Sequence, residues 1–366
     1  MSTHDERMVL DERALQNFIR LQPQAVSAVA ARLEAAHDSV GEPFGIQSQV
    51  DFREDLSFHL EFLRPVLEFG MLAPMVDYLR WFASVQAARG MPYGYLNQSL
   101  DWLAHYFSET MEPMQGKAVA AAIGSVQVKF LESSGIVPLV APTHPAVWPQ
   151  TAAFEDALLA GNQREALAVV NGFLDDGKGL MEVELHVIQP ALYSIGERWQ
   201  SNQVSVAQEH MATAIVESVM TIALLRAPPP APINKRVILA CVEGNHHSIG
   251  LRMVADAFLL GGWEVQYLGA SVPTRSLVQQ IEDWNPDLVG LSVCFPQQLT
   301  VVKKVIAAMA DRFGPARPAV MVGGLVINRL NQLADVVGAD TWGADARAAV
   351  DSAGHLPATR FTRVAP

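Results

Sequence analysis

Between residues 236 and 322 four short apolar runs alternate with three segments of helical periodicity, and this alternation limits the fold more than any other feature of the chain. The runs are Arg236–Val242, Glu264–Leu268, Leu288–Val293 and Ala319–Val322. The helical segments between them are Gly250–Leu260, Ser276–Trp284 and Val301–Phe313. Short apolar runs that alternate with helices predict a parallel sheet covered by helices on both faces. In such a sheet ligands sit beyond the carboxyl ends of the strands. The segment Glu243–Gly250, which leaves the first run, is therefore the first place to look for a site, and it holds Asn245, His246 and His247.

Upstream, consecutive prolines in Ala227–Pro232 end whatever helix precedes them. The stretch before them predicts four helices, Ala152–Ala160, Glu165–Leu174, Met181–Gln200 and Ser205–Leu225, enough for a small bundle. Ser134–Pro149 carries four prolines and reads as a linker. Residues 1–130 contain 15 of the 28 aromatic residues, show helical spacing without alternation, and predict six or more helices. A net charge of -12 with no basic block argues against a nucleic-acid-binding body. The charged start MSTHDERMVLDER does not fit a signal peptide, and no apolar run approaches the ~18 residues of a membrane span. Cys241 and Cys294, the two cysteines, make neither a disulfide framework nor a zinc site. A soluble, cytoplasmic protein without a membrane partner is expected.

Asn245-x-His247-x-x-Gly250 resembles the Asp-x-His-x-x-Gly motif of the methionine synthase-like B12-binding family. Ser292 stands at that family's Ser-x-Leu position and Gly323-Gly324 at its glycine pair, in matching order over about residues 235–350. The resemblance implies a cobalamin-binding domain in which His247 ligates cobalt from below in place of the cofactor's own nucleotide base. Imidazole nitrogen suits cobalt. It also implies that Ser292 faces the dimethylbenzimidazole tail, that Gly323 and Gly324 let the tail pass close to the backbone, and that Gly250 starts a helix without crowding the corrin. His246 is the lesser ligand candidate. Two positions depart from the pattern. Asn245 replaces the acidic residue that orients the histidine, and Cys294 replaces leucine.

In the bundle, Trp199 is followed by nine residues and then Glu209-His210. This spacing resembles the cap of the adenosylcobalamin-dependent photoreceptors, which include light-sensitive transcriptional regulators. The resemblance implies that Trp199, Glu209 and His210 cover the adenosyl group on the upper face. Gln200 stands where the DNA-binding members carry a histidine that takes cobalt after light, which puts a bis-histidine photoproduct in doubt.

Phe58-His59 and Asp77-Tyr78-Leu79-Arg80-Trp81-Phe82 look like part of a globin-type or phycobiliprotein-like domain, and the whole arrangement resembles the photocobilins. That resemblance implies non-covalent biliverdin in the N-terminal domain. Arg64, Arg80 and Arg89 are candidates for its propionates, Asp77 for its pyrrole nitrogens, and His59, Phe62, Tyr78 and Trp81 for ring contacts. A haem globin with His59 or His105 as axial ligand, and an aromatic core without pigment, remain open for the same residues.

The expected fold class is α + α/β. A globin-like helical domain spans 1–133, a four-helix cobalamin cap 150–227, and a doubly wound, Rossmann-like cobalamin domain 234–353. The expected function is a light sensor rather than an enzyme, using adenosylcobalamin and biliverdin and signalling through a protein partner or a homo-oligomer. The alternative is a corrinoid carrier of a methyltransferase system. A mutase is disfavoured because the substrate barrel such chemistry uses is not evident.

Overall fold

Helices open the chain in the computed structural model, which describes residues 8–38, 52–91, 94–132 and 146–356. The chain divides into two compact units, residues 1–140 and 141–366. In the first, the described helices are α1 (Glu12–Asp38), α2 (Phe52–Phe69), α3 (Leu72–Ala88), α4 (Gly94–Thr110) and α5 (Pro113–Glu132). Five, not six, are seen among the described residues, because α1 continues through Pro23 for 27 residues. Leu56, Leu60, Leu63 and Leu67 recur at helical spacing on α2 and are all buried. Phe18 of α1 meets Phe107 of α4 with centroids 4.8 Å apart, and the Arg32 guanidinium lies 4.4 Å from the Trp102 ring centroid. Most of the linker expected at Ser134–Pro149 lies outside the described residues.

The second unit begins with α6 (Thr151–Leu159), α7 (Gln163–Asp175), α8 (Leu180–Val183), α9 (Gln189–Gln200) and α10 (Val206–Arg226). The single helix expected at Met181–Gln200 is instead α8 and α9 joined by one π-helical turn, Glu184–Ile188. A wide turn of this kind leaves no mark in apolar periodicity. After the prolines come β1 (Arg236–Val242), α11 (Ile249–Leu260), β2 (Glu264–Val272), α12 (Thr274–Trp284), β3 (Leu288–Ser292), α13 (Leu299–Phe313), β4 (Ala319–Gly323), α14 (Leu325–Arg329), α15 (Leu333–Val337), β5 (Thr341–Gly343) and α16 (Ala346–Gly354).

The five strands are parallel in the order β2-β1-β3-β4-β5. Six of seven residues in β1 and all of β3 are buried, as expected of strands covered on both faces. β2 runs to Val272, past the apolar run that announced it, and its register against β1 shifts twice. β5 has three half-buried residues and no apolar run, so its sequence does not announce a strand.

The cap helices and the sheet domain, read from sequence as separate domains, lie in one unit because they share a core. Met253 and Ala257 of α11 and Ala346 of α16 are buried in the same cluster as Val183, Val187, Val216 and Met220 of the cap. Glu182 and Arg347 pair across the same seam.

Gly324 follows β4 with φ +100°, and a Cβ there would lie 2.4 Å from the Val293 carbonyl oxygen. Gly324→Ala is expected to cost about 2–4 kcal/mol through positive-φ strain and backbone overlap. A lower urea midpoint for the second unit checks this.

Candidate functional site

The strand order reverses direction at β1, whose neighbours are β2 and β3. The chain leaves β1 toward one side of the sheet and β3 toward the other, which opens a crevice at their carboxyl ends. The sequence-predicted residues Asn245, His247 and Ser292 all fall there. Asn245 turns back on β1, its N–H donating to the Val242 carbonyl at 2.9 Å. Its side chain is fully buried and crosses to β3, where Nδ2 donates to the Ser292 carbonyl oxygen at 2.9 Å. Oδ1 accepts the backbone N–H of His247 at 3.1 Å. The amide thus orients the His247 backbone, not the ring nitrogen that its place in the motif suggests.

β2 holds the loop from the other side. Ser271, at φ +48°, accepts the Gly244 N–H on Oγ at 3.0 Å and donates its own N–H to the Asn245 carbonyl at 2.9 Å. Tyr267 Oη donates to the Ser248 carbonyl at 3.2 Å. Gln298, which no motif reveals, is buried and joins the two loops. Its Oε1 accepts from the N–H groups of Cys294 and Phe295 at 2.9 and 3.1 Å, and its Nε2 donates to the Gly244 carbonyl at 3.0 Å. A glutamine six residues past a strand end carries no sequence signal until the fold brings Gly244 beside it.

His247 stays accessible at the loop surface, and Phe295 meets its ring edge-on, centroids 5.2 Å apart. Among the described residues no hydrogen-bond partner takes either ring nitrogen. Desolvation by the loop lowers its pKa, Glu209 opposes this and His246 adds to it. The imidazole is therefore neutral at pH 7, the form that binds a metal. His246 is exposed as well. Cys241 Sγ contacts the His247 carbonyl oxygen at 3.6 Å, and burial pushes its thiol up to about 12.

The glycine pair has a packing role of its own. A Cβ on Gly323 would lie 3.0 Å from the Gly343 carbonyl oxygen, a tight approach, and the backbone around Gly324 leaves no room for one. Around Gly250, at the start of α11, there is open space.

The cap residues lie where α9 turns into α10. Ser205 caps α10 in a reciprocal box with Gln208, which sets Glu209 in the first turn. Glu209 accepts from Thr213 Oγ1 at 3.1 Å and pairs with His210 Nδ1 at 2.6 Å, while His210 is largely exposed. Trp199, in the last turn of α9, packs partly buried against the cap core. Glu209's charge acts on His247 and raises its pKa against the effect of burial.

In the N-terminal unit the fold brings His59, Phe62, Tyr78 and Phe82 together. His59 Nδ1 and Tyr78 Oη are 2.7 Å apart, Phe62 stacks on Tyr78 at 3.9 Å, and Phe82 meets His59 edge-on at 4.8 Å. Burial lowers the His59 pKa to about 3. Asp77 pairs with Arg80 at 3.2 Å, and Arg64 lies 3.8 Å from Glu68. Trp81 lies 6.1 Å from Tyr78 between ring centroids. Arg89 donates to the Val85 carbonyl, and His105 sits exposed beside Glu109.

An accessible histidine thus stands at the switch point of a parallel sheet whose helices share a core with a helical cap. The B12 binding domain profile matches residues 235–351, and a second profile of the same description matches residues 151–224. The chain belongs to the B12-binding family. It is 30% identical to dimethylamine corrinoid protein 3 of Methanosarcina acetivorans over 42% of this chain and 76% of that protein. It is 31% identical to the HTH-type transcriptional repressors CarA and CarH of Myxococcus xanthus, over 43% and 39% of this chain. The chain spans about half the length of these two repressors. Among solved structures, the Methanosarcina barkeri monomethylamine corrinoid protein matches at 18% identity and a TM-score of 0.46, over 54% of this chain and 94% of its own. Among the described residues no helix is long and apolar enough to cross a membrane.

Gln298→Leu should leave the Cys294 and Phe295 N–H groups and the Gly244 carbonyl unpaired, at about 1–3 kcal/mol for each group that stays dry. The expected result is weaker hydroxocobalamin binding with a lowered unfolding midpoint, read by spectral titration and denaturation. Unchanged values in both would mean that the two loops hold their places without it.

Proposed function

We propose that the chain is a light sensor that binds adenosylcobalamin with His247 as the lower cobalt ligand. The observation that carries this reading is the accessible ring of His247, whose backbone Asn245 fixes on the β1 loop, in one unit with the cap helices that carry Trp199, Glu209 and His210. Bound cobalamin supplies a cobalt that accepts imidazole and, in its adenosyl form, a light-sensitive cobalt–carbon bond. His247 would hold the metal from below, with Asn245 and Gln298 fixing its loop and Ser292 and the Gly323-Gly324 turn beside the nucleotide tail. Trp199 would lie against the adenosyl group, Glu209 would accept from its hydroxyl or amino groups, and His210 would border it. Losing that group would remove cap contacts and so change how the cap lies on the sheet, for a protein partner or a second copy of the chain to read. No catalytic role is assigned to the chain.

The second reading, a corrinoid carrier for a methyltransferase, is favoured by coverage. Dimethylamine corrinoid proteins are matched over as much as 94% of their length, the repressors over about half. Absorption spectra of the adenosylcobalamin-loaded chain before and after green light separate the two. A light-driven change supports the sensor. A light-stable spectrum, with the methylcobalamin form demethylated by a methyltransferase, supports the carrier. Gln200 in place of histidine leads us to expect an aquo-type photoproduct that still binds cyanide.

Biliverdin in the N-terminal unit, held by His59, Arg64, Asp77, Tyr78, Arg80 and Trp81, is part of the sensor reading. It would have to replace contacts that His59, Tyr78 and Phe62 now make with one another. Co-expression with a haem oxygenase tests it. A red-absorbing pigment released on denaturation supports it, an iron-containing Soret band favours haem, and neither pigment leaves an aromatic core.

His247→Ala should abolish the base-off, histidine-bound spectrum, and a retained spectrum would remove the assignment. In the wild type the sign of the pH dependence follows from the lowered pKa. Cobalt needs the neutral ring, so histidine-on binding should persist below the ordinary imidazole value of about 6.5 and fall away only as pH drops through the lowered one. Trp199→Ala should weaken adenosylcobalamin binding more than methylcobalamin binding. Equal losses in the two titrations would make Trp199 a core residue and withdraw the main support for adenosyl sensing.

A further inference from the structure

The cap and the sheet domain meet across two buried acids outside the proposed cobalamin site. Glu184, in the π turn of the cap, and Asp256, on α11, are both fully buried. The seam around them is apolar, with Val183 and Val187 on the cap and Met253 and Ala257 on α11 in one core. Arg252 Nε donates to Asp256 Oδ1 at 2.9 Å. Among the described residues both Glu184 oxygens and Asp256 Oδ2 lack a protein donor. Burial acts first on Glu184, then the neighbouring Asp256 in the same direction, with Arg252 in opposition.

The remaining charges near the seam have partners. Glu182 and His186, on the same stretch, pair at 3.2 Å, and Glu182 also meets Arg347 of α16. Glu155 of α6 pairs with Arg198 of α9 at 2.8 Å. One guanidinium therefore serves two buried carboxyls. Two carboxylates sharing a dry site cannot both ionise cheaply, and one keeps its proton. Arg252 bonds Asp256, so Asp256 carries the charge and Glu184 the proton. Burial first, and then Asp256, holds the Glu184 carboxyl well above the usual range.

We propose that Glu184 and Asp256 form a proton-holding latch between cap and sheet: Glu184 must be protonated for the cap to lie closed, and the proton leaves when the two separate. Once exposed to water, Glu184 ionises at neutral pH and resists reburial. The closed form binds one more proton than the open form. Opening is therefore insensitive to pH below the ordinary glutamate range. Above it, opening becomes about tenfold more favourable per pH unit, up to the raised value of Glu184. The latch does not depend on light or on the upper ligand, so it stands or falls separately from the sensor reading.

Hydrogen exchange of residues 180–189 and 249–260 in the full chain, between pH 6 and 9 with intrinsic exchange divided out, tests it. The wild type should open more readily as pH rises, by up to about tenfold per unit. Glu184→Gln, whose amide can still donate to Asp256 but cannot ionise, should change less than about twofold per unit. A flat wild type, or the same slope in Glu184→Gln, would overturn the latch. An infrared band of a protonated carboxyl at pH 7.5, lost in Glu184→Gln, is expected as well. Should that variant not fold, absence of the band from the wild type overturns the proposal and its presence supports it.

Discussion

The Asn245 amide is the interaction on which the rest of the site depends. It is buried at the point where β1 and β3 diverge; its Nδ2 donates to the Ser292 carbonyl at the end of β3 and its Oδ1 accepts the His247 N–H, while the Asn245 backbone N–H returns to Val242 at the end of β1. A carboxylate here would have no hydrogen to offer the Ser292 carbonyl. Ser271 and Gln298 brace the same turn from β2 and from the loop after β3. His247 is thus held through its backbone while its ring stays open. Phe295 limits the ring on one side, and desolvation keeps it neutral.

The cap bears on this loop at a distance and on α11 by direct packing. Glu209 reaches His247 through its charge, while Met253 and Ala257 complete the cap core. The seam where they pack contains two buried acids and one arginine. A dry seam with unbalanced polar groups has a narrower range of acceptable arrangements than an apolar one.

Much of the candidate site could be named from sequence because its residues fall at strand ends. His247 and Ser292 stand after apolar runs in an order that resembles a family motif, and Trp199 with Glu209-His210 have a spacing that resembles a family cap. Gln298 and Ser271 were not legible, since each acts through Gly244 or Asn245 in another loop. Glu184 and Asp256 were hidden for the same reason. Each sits in a helical pattern that reads as ordinary, and only packing shows that the two face each other. The aromatic N-terminal residues show the opposite case. Their clustering was visible, but spacing could not tell rings that face a pigment from rings that satisfy each other, as His59, Tyr78 and Phe62 do.

Local pattern alone determined the alternating elements after residue 235, the helices before the proline run, and the loop that carries His247, because periodicity and chain breakers act over a few residues. Tertiary structure decided the strand order, the fifth strand, the π turn at Glu184–Ile188 and the merging of cap and sheet into one unit. It also decided that Asn245 orients a backbone and that Glu184 meets Asp256. These depend on groups far apart in sequence whose hydrogen bonds and charges have meaning only after burial removes water from between them.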